Sequence, residues 1–176
     1  MFIDKDSVFR NSALTHRLEI LANEAIRAND SLFVEQTGCT IREYRVLRMI
    51  DEHGGIAFNE IMHITGLDRS LVSRLIRTLL ERELIYRVNS KEDARRFGLF
   101  TTDSGKTTCE RGRRLSAAAE EILFSPLLGD ELQQLNDLLD KLVIWVRSPD
   151  YNAQLQDMQD MSTSFCRAKK QQEQSG

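Results

Sequence analysis

Apolar residues recur at helical spacing along most of the chain, and glycine interrupts the pattern at a few points. The first helical pattern covers about residues 7–35 and stops before Gly38. The second begins at Thr40, because Thr40-Ile41-Arg42-Glu43 has the form of a capping box, in which a hydroxyl and a carboxylate bond free amides of the first turn. It ends at Gly54 and Gly55, since glycine readily takes the left-handed conformation that closes a helix.

The next segment predicts a short helix, a tight turn and a longer helix. The short helix covers about residues 60–65 with Asn59 as its cap, and Gly66 begins the turn. Asp68 caps the longer helix, which continues to about Arg82 and is apolar along one side. The opposite side carries hydroxyl and guanidinium groups at i, i+3, i+4 and i+7 spacing: Ser70, Ser73, Arg74 and Arg77.

The hydrophobic period then changes to that of strands over residues 85–88 and 97–100, which predicts a β-hairpin with a long charged tip. Helical spacing returns over about residues 102–126 and 130–148. Residues 149–176 show a weaker helical pattern, and the composition at the end of this extension is typical of disorder. The chain is therefore predicted to be mainly α-helical.

Composition excludes several classes of protein. No run approaches the roughly 18 apolar residues of a membrane helix, and the first residues lack the features of a secretory signal, so we predict a cytoplasmic protein without membrane contact. The three scattered cysteines argue against a disulfide framework, and with the three histidines they show no metal-ligand spacing. Phosphate-binding and nucleophile-elbow motifs are missing as well. We therefore expect no cofactor and no enzymatic activity.

Positive charge is concentrated in one block. Residues 67–114 contain 12 basic and 7 acidic residues, whereas the rest of the chain contains 12 basic and 20 acidic residues. Such a block is the electrostatic footprint of a nucleic-acid-binding surface. Helix, turn, helix and basic hairpin together form a winged helix-turn-helix, whose longer helix fits the major groove and whose hairpin tip fits the minor groove. Double-stranded DNA is therefore the predicted partner.

Five short motifs follow one another along the chain: Gly38-Cys39-Thr40-Ile41 with Tyr44, Gly66-Leu67-Asp68-Arg69-Ser70, Leu84-Ile85-Tyr86-Arg87, Asp93-Ala94-Arg95 and Thr102-Asp103-Ser104-Gly105-Lys106. In order and spacing, these motifs resemble the MarR family (multiple antibiotic resistance regulator) of transcription regulators. The resemblance covers roughly residues 14–146.

The resemblance implies a homodimer that reads a pseudo-palindromic operator. Residues 38–101 would form the DNA-binding domain, residues 1–37 and 102–148 would supply dimerisation helices, and residues 149–176 would form a partly disordered extension. Most members of the family repress transcription, and many release DNA when a small phenolic or aromatic carboxylate effector binds. The resemblance implies the same for this chain.

The resemblance also implies roles for individual side chains. Major-groove contact would come from Ser70, Ser73, Arg74 and Arg77. In the wing, Arg95 would enter the minor groove beside Arg96, and Asp93 would hold wing arginines by salt bridge. A cleft for the effector would be lined by His16, Arg17, Tyr44 and Arg45, because histidine and arginine pair with carboxylates; a core tyrosine and surface cations are the alternative.

Three positions depart from the family pattern. Glu83 stands where the family often has glycine, so we expect the helix end there to be built differently. Met62 replaces a small residue where the two helices of the motif cross, which is expected to widen their packing. Cys39 lies before the second helix, whereas members of the family that sense peroxide carry their cysteine in the first helix. A redox-responsive repressor that uses Cys39 is nevertheless one alternative. A winged-helix protein-interaction module without DNA binding is the other.

Overall fold

The computed structural model describes residues 9–10, 12–89 and 97–173, with side chains as far as residue 161. Within these ranges the chain forms seven helices and one antiparallel hairpin, which confirms the mainly α-helical winged fold. In chain order the elements are α1 (Leu14–Thr37), α2 (Ile41–Glu52), α3 (Phe58–Thr65), α4 (Arg69–Glu81), β1 (Ile85–Asn89), β2 (Phe97–Thr101), α5 (Asp103–Phe124), α6 (Gly129–Val146) and α7 (Pro149–Glu173).

Two compact units divide the chain, Met1–Leu123 and Phe124–Gly176. The first contains the core, in which α2 packs against α1, α4 and β2. Fully buried side chains from these elements include Leu47, Val72 and Leu99. Burial of each such side chain contributes about 1.5–3 kcal/mol, and together they fix α4 against α2.

The hairpin is extended by one isolated bridge. Ile56, between α2 and α3, pairs with Leu99 of β2, and the Leu99 amide donates to the Ile56 carbonyl at 3.1 Å. Both side chains are buried. The wing is therefore anchored in the same core as the helix-turn-helix.

Of the three helix caps predicted at Thr40, Asn59 and Asp68, two are confirmed and one is wrong. Thr40 and Glu43 form the predicted capping box, and the Asp68 carboxylate accepts the Leu71 amide at 2.9 Å, as a helix cap should. The prediction for Asn59 is wrong, because α3 begins two residues earlier than predicted, at Phe58. Its cap is Ala57, whose amide donates to the Glu60 carboxylate at 2.7 Å.

The expectation for Glu83 is also wrong. This residue has φ 55° and takes the left-handed conformation itself. The Leu84 amide donates back to the Leu79 carbonyl at 3.0 Å, which closes a Schellman turn, and the Thr102 hydroxyl donates to the Glu83 carbonyl at 2.8 Å. The turn is thus kept without glycine. Met62 is half-buried against the core, and the wider helix crossing stays a prediction.

Two glycines bring α5 close to its neighbours. A Cβ atom at Gly112 would lie 2.4 Å from the Tyr44 ring, and one at Gly105 would lie 2.0 Å from the Leu84 carbonyl oxygen. Any larger residue would push α5 away from α2 or from the start of β1. The position of α5 therefore depends on the absence of side chains at these two points.

The second unit contains α6 and α7. Within the unit, Trp145 and Tyr151 meet edge to face at 5.9 Å. No residue of α6 is buried in the single chain, although Leu138 and Ile144 are large and apolar, with exposures of 57% and 72%. Across the described helices, none combines the length and apolar character needed to cross a bilayer.

Candidate nucleic-acid interface

Helix α4 presents the hydroxyl and arginine face that its sequence predicts. Ser70, Arg74 and Arg77 are exposed and Ser73 is half-buried, whereas Val72 on the opposite side is fully buried. The buried face fixes the rotation of α4, so these polar side chains point out of the core together. Guanidinium groups one turn apart can bind guanine edges or phosphates.

The first turn of α4 is ordered by its cap. The Ser70 hydroxyl donates to the Asp68 carboxylate at 2.6 Å, and the Leu71 amide donates to the same oxygen. These hydrogen bonds, with that from Ser70 the larger effect, lower the pKa of the Asp68 carboxyl. With its proton engaged, the Ser70 oxygen can accept a hydrogen bond from a base amino group.

Two further arginines, which sequence reasoning missed, lie beside this face. The Arg69 guanidinium stacks 5.3 Å from the centre of the Phe58 ring, and that of Arg87 stacks 4.7 Å from the Phe97 ring. Both line a groove of about 540 Å³ together with Ser73. Stacking holds the planar guanidinium groups in place and leaves the N–H groups at their edges available to donate hydrogen bonds. Each arginine belongs to the basic block, but its aromatic partner is about ten residues away and on another element.

The three wing residues predicted to contact DNA, Asp93, Arg95 and Arg96, lie outside the described residues. The register of the hairpin is described up to the pair Asn89 and Phe97. Roles in the minor groove therefore stay predictions for these residues.

Comparison with known proteins gives a family for this fold. The model of the MarR family matches residues 39–97, which span α2, both helices of the motif, β1 and the start of β2. Residues 39–97 therefore match the winged helix-turn-helix of the MarR family. A search of curated proteins found no match.

Solved structures of transcription regulators share the fold of this chain. A MarR-family regulator from Listeria monocytogenes complexed with 26-mer DNA is 21% identical, with a TM-score of 0.70, and the match covers 77% of this chain and 89% of that one. The MepR–DNA complex of S. aureus is 24% identical, with a TM-score of 0.67 and coverage of 76% and 98%. PcaV from Streptomyces coelicolor, in complex with its natural ligand, is 25% identical, with a TM-score of 0.62 and coverage of 75% and 95%.

The four predicted effector residues occupy different surroundings. His16 is exposed, with its Nδ1 atom 3.7 Å from the Glu19 carboxylate, and Arg17 stacks over Phe9 at 5.1 Å. Tyr44 is 2% exposed and packs against Phe33 with ring centres 5.4 Å apart. Burial, as the main cause, raises the pKa of the Tyr44 phenol.

The fourth, Arg45, is exposed and lines two cavities that contain none of the other three. The larger, which we name the arginine groove, has a volume of about 540 Å³ and lies between α1, α2 and the turn before α4. Its apolar lining includes Ile26 and Met49, and its cationic lining comprises Arg42, Arg45 and Arg48. Arg48 donates to Glu52 at 2.7 Å, and Arg42 donates to Asn23 at 3.3 Å. The groove thus combines apolar surface with positive charge.

The environment of Cys39 does not favour the redox alternative. Cys39 is fully buried, and burial is the main cause that raises the pKa of its thiol. Burial likewise raises the pKa of Cys109 to about 12. Because the thiolate is the reactive form, both groups are poorly suited to fast oxidation at neutral pH.

Proposed function

We propose that this chain is a transcription regulator that binds double-stranded DNA as a homodimer and is released from its operator by a small aromatic anion. The observation that carries the proposal is the exposed hydroxyl and arginine face of α4 inside a MarR-family domain. Two relatives of the same fold, the Listeria regulator and MepR, were solved with DNA. Their complexes support DNA as the partner.

The described face suggests how affinity and specificity are divided. Arg69, the first residue of α4, and Arg87 on β1 can neutralise backbone phosphates, which makes binding steeply salt dependent. Arg74 and Arg77 can reach base edges, which supplies sequence preference. In the wing, Arg95 would add a minor-groove contact that responds to groove width.

Homodimer formation is supported by apolar surface that the single chain leaves uncovered. Leu14, Leu18 and Leu21 along α1 are exposed, as are Leu138 and Ile144 on α6. Large apolar side chains left exposed on a single chain are typical of surfaces that another chain covers. A dimer would place two recognition helices about one helical turn of DNA apart, as a pseudo-palindromic operator requires.

The arginine groove supports an aromatic carboxylate or phenolate as effector. Its volume falls within the roughly 300–1,000 Å³ of small-molecule sites. Its apolar lining suits a ring, and the guanidinium of Arg45 suits a carboxylate. PcaV, which shares the fold, was solved with its natural ligand. That the chain represses rather than activates transcription is inferred from the family resemblance. His16, Arg17 and Tyr44 stay predicted contributors to the effector cleft.

Selection of bound sequences from a random DNA pool tests the function. The intact protein should enrich an inverted repeat. Arg77→Ala and Arg95→Ala should each weaken binding to that repeat. If the arginine contacts a base, the loss should be about 1–3 kcal/mol. If it contacts a phosphate, the slope of log binding constant against log salt concentration should shrink by about one. Arg27→Ala is the control, because Arg27 is an exposed arginine on α1 that pairs with Glu24.

Two outcomes would count against the proposal. If the intact protein enriches no DNA sequence, a winged-helix protein-interaction module becomes the better interpretation of the fold. If the operator is found and aromatic acids release it equally from the intact protein and from Arg45→Ala, the effector does not bind in the arginine groove.

A further inference from the structure

Arg82 lies at the joint between the recognition helix α4 and the wing. It follows the last residue of α4, and its amide donates to the Thr78 carbonyl at 3.1 Å. The next residue, Glu83, turns the chain into β1 through its left-handed conformation. A force on the Arg82 side chain therefore acts on the end of α4 and on the start of the wing together.

The Arg82 side chain reaches across to the junction between α1 and α2. Its Nη1 atom donates to the carbonyl oxygen of Gly38 and, at 3.2 Å, to Oε2 of Glu43. Glu43 is 8% exposed, and the same Oε2 atom accepts the Thr40 amide at 2.8 Å. The carboxylate that caps α2 is thus also the partner of the arginine at the end of α4.

The junction is tied to α1 as well. The Ile41 amide, the first of α2, donates to the Asp30 carboxylate at 2.8 Å. Gly38 closes α1 in the left-handed conformation, with its amide bonded to the Val34 carbonyl at 2.9 Å. A continuous series of hydrogen bonds therefore runs from α1 through the start of α2 to the end of α4.

We infer that Glu43 and Arg82 are positioning residues, which set the orientation of α4 and the wing relative to α1 and so tune operator recognition. The inference rests on the proposed function. A buried carboxylate is strongly destabilised when its cationic partner is removed, so the pair has one favoured arrangement. An Arg82 that only contacted phosphate would not need a buried partner in another helix.

Glu43→Gln separates positioning from simple charge. Glutamine can still accept the Thr40 amide, so the capping box survives while the charge that faces Arg82 is lost. Removing a negative charge should strengthen DNA binding if only net charge matters. Positioning predicts the opposite: affinity for the selected operator falls by about threefold or more. The loss should be smaller for operators whose half-site spacing is changed by one base pair, because a loosened α4 discriminates spacing poorly.

Glu24→Gln is the matched control. It makes the same chemical change at an exposed α1 carboxylate that pairs with Arg27 at 2.6 Å. Arg82→Lys is the second variant, since it keeps the charge but loses the planar fork. It should lower operator affinity and spacing discrimination in the same direction as Glu43→Gln.

The inference is overturned if Glu43→Gln matches Glu24→Gln in operator affinity and in spacing discrimination. Should the Glu43 and Arg82 variants fail to fold, hydrogen exchange on the intact protein decides: the Thr40 amide should gain protection when operator binds, and unchanged exchange contradicts the inference. Failure of the proposed function looks different, because the intact protein would then select no DNA sequence at all.

Discussion

Glu83 has a left-handed backbone conformation that glycine would adopt with less steric strain. At φ 55° the Cβ atom crowds the following carbonyl oxygen, which costs about 1–2 kcal/mol for a residue other than glycine. Glycine removes this crowding but loses about 0.5–1 kcal/mol more backbone entropy on folding. The Glu83 side chain is exposed, so its removal sacrifices little buried surface. We expect Glu83→Gly to raise the free energy of unfolding by about 0.5–1 kcal/mol.

Glu81→Gly provides the matched control two residues earlier. Glu81 is also exposed, but it is the last residue of α4 and helical, so glycine should destabilise it by about 0.5 kcal/mol through lost helix propensity. Urea unfolding followed by circular dichroism at one fixed protein concentration measures both variants. The two substitutions should shift stability in opposite directions. If Glu83→Gly destabilises the protein as Glu81→Gly does, the left-handed residue is unstrained and the reasoning is refuted.

Two further predictions concern the core. Gly112→Ala should destabilise the protein by about 1–3 kcal/mol, because the new Cβ meets the Tyr44 ring at 2.4 Å. Gly129→Ala is the control, because an added Cβ there meets nothing within 4 Å, and urea unfolding should show almost no change in stability. Equal effects of Gly112→Ala and Gly129→Ala on stability would contradict the close packing of α5. The Cys109 thiol, with a pKa of about 12 against an ordinary 9.0, should resist alkylation at pH 8 until the protein unfolds. Because the pKa of the Cys109 thiol is raised in the folded protein, the contribution of this thiol to stability should be lost as pH rises from 9 towards 12. Rapid alkylation of the Cys109 peptide in folded protein would argue against burial.

The features that sequence reasoning predicted correctly are local ones. A capping box needs only Thr40 and Glu43, three residues apart, and the cap at Asp68 acts on the next turn. Hydrophobic spacing fixes which side of α4 is buried, and the exposed arginines follow from it. The cap of α3 was misplaced because Asn59 suits a cap, yet Glu60 reaches back to the amide of Ala57.

The features it missed depend on contacts between distant elements. Arg69 and Arg87 are placed by aromatic rings on other elements, which helical periodicity does not reveal. The burial of Tyr44 is of the same kind, because the missing side chain at Gly112 lets α5 cover its ring. Its residue type alone does not reveal this contact, and its role in the effector cleft stays a prediction.

Helix α2 connects the two proposals in physical terms. Its apolar side lies in the core, Arg45 faces the arginine groove, and Glu43 at its start holds the joint of α4. A close-packed helix moves as a unit, so a ligand that shifts α2 must also displace the carboxylate that positions Arg82. The same coupling acts in reverse, because a change that the effector makes in operator affinity equals the change that the operator makes in effector affinity. An effector that binds the free and the DNA-bound protein equally well therefore cannot regulate through this groove, however tightly it binds.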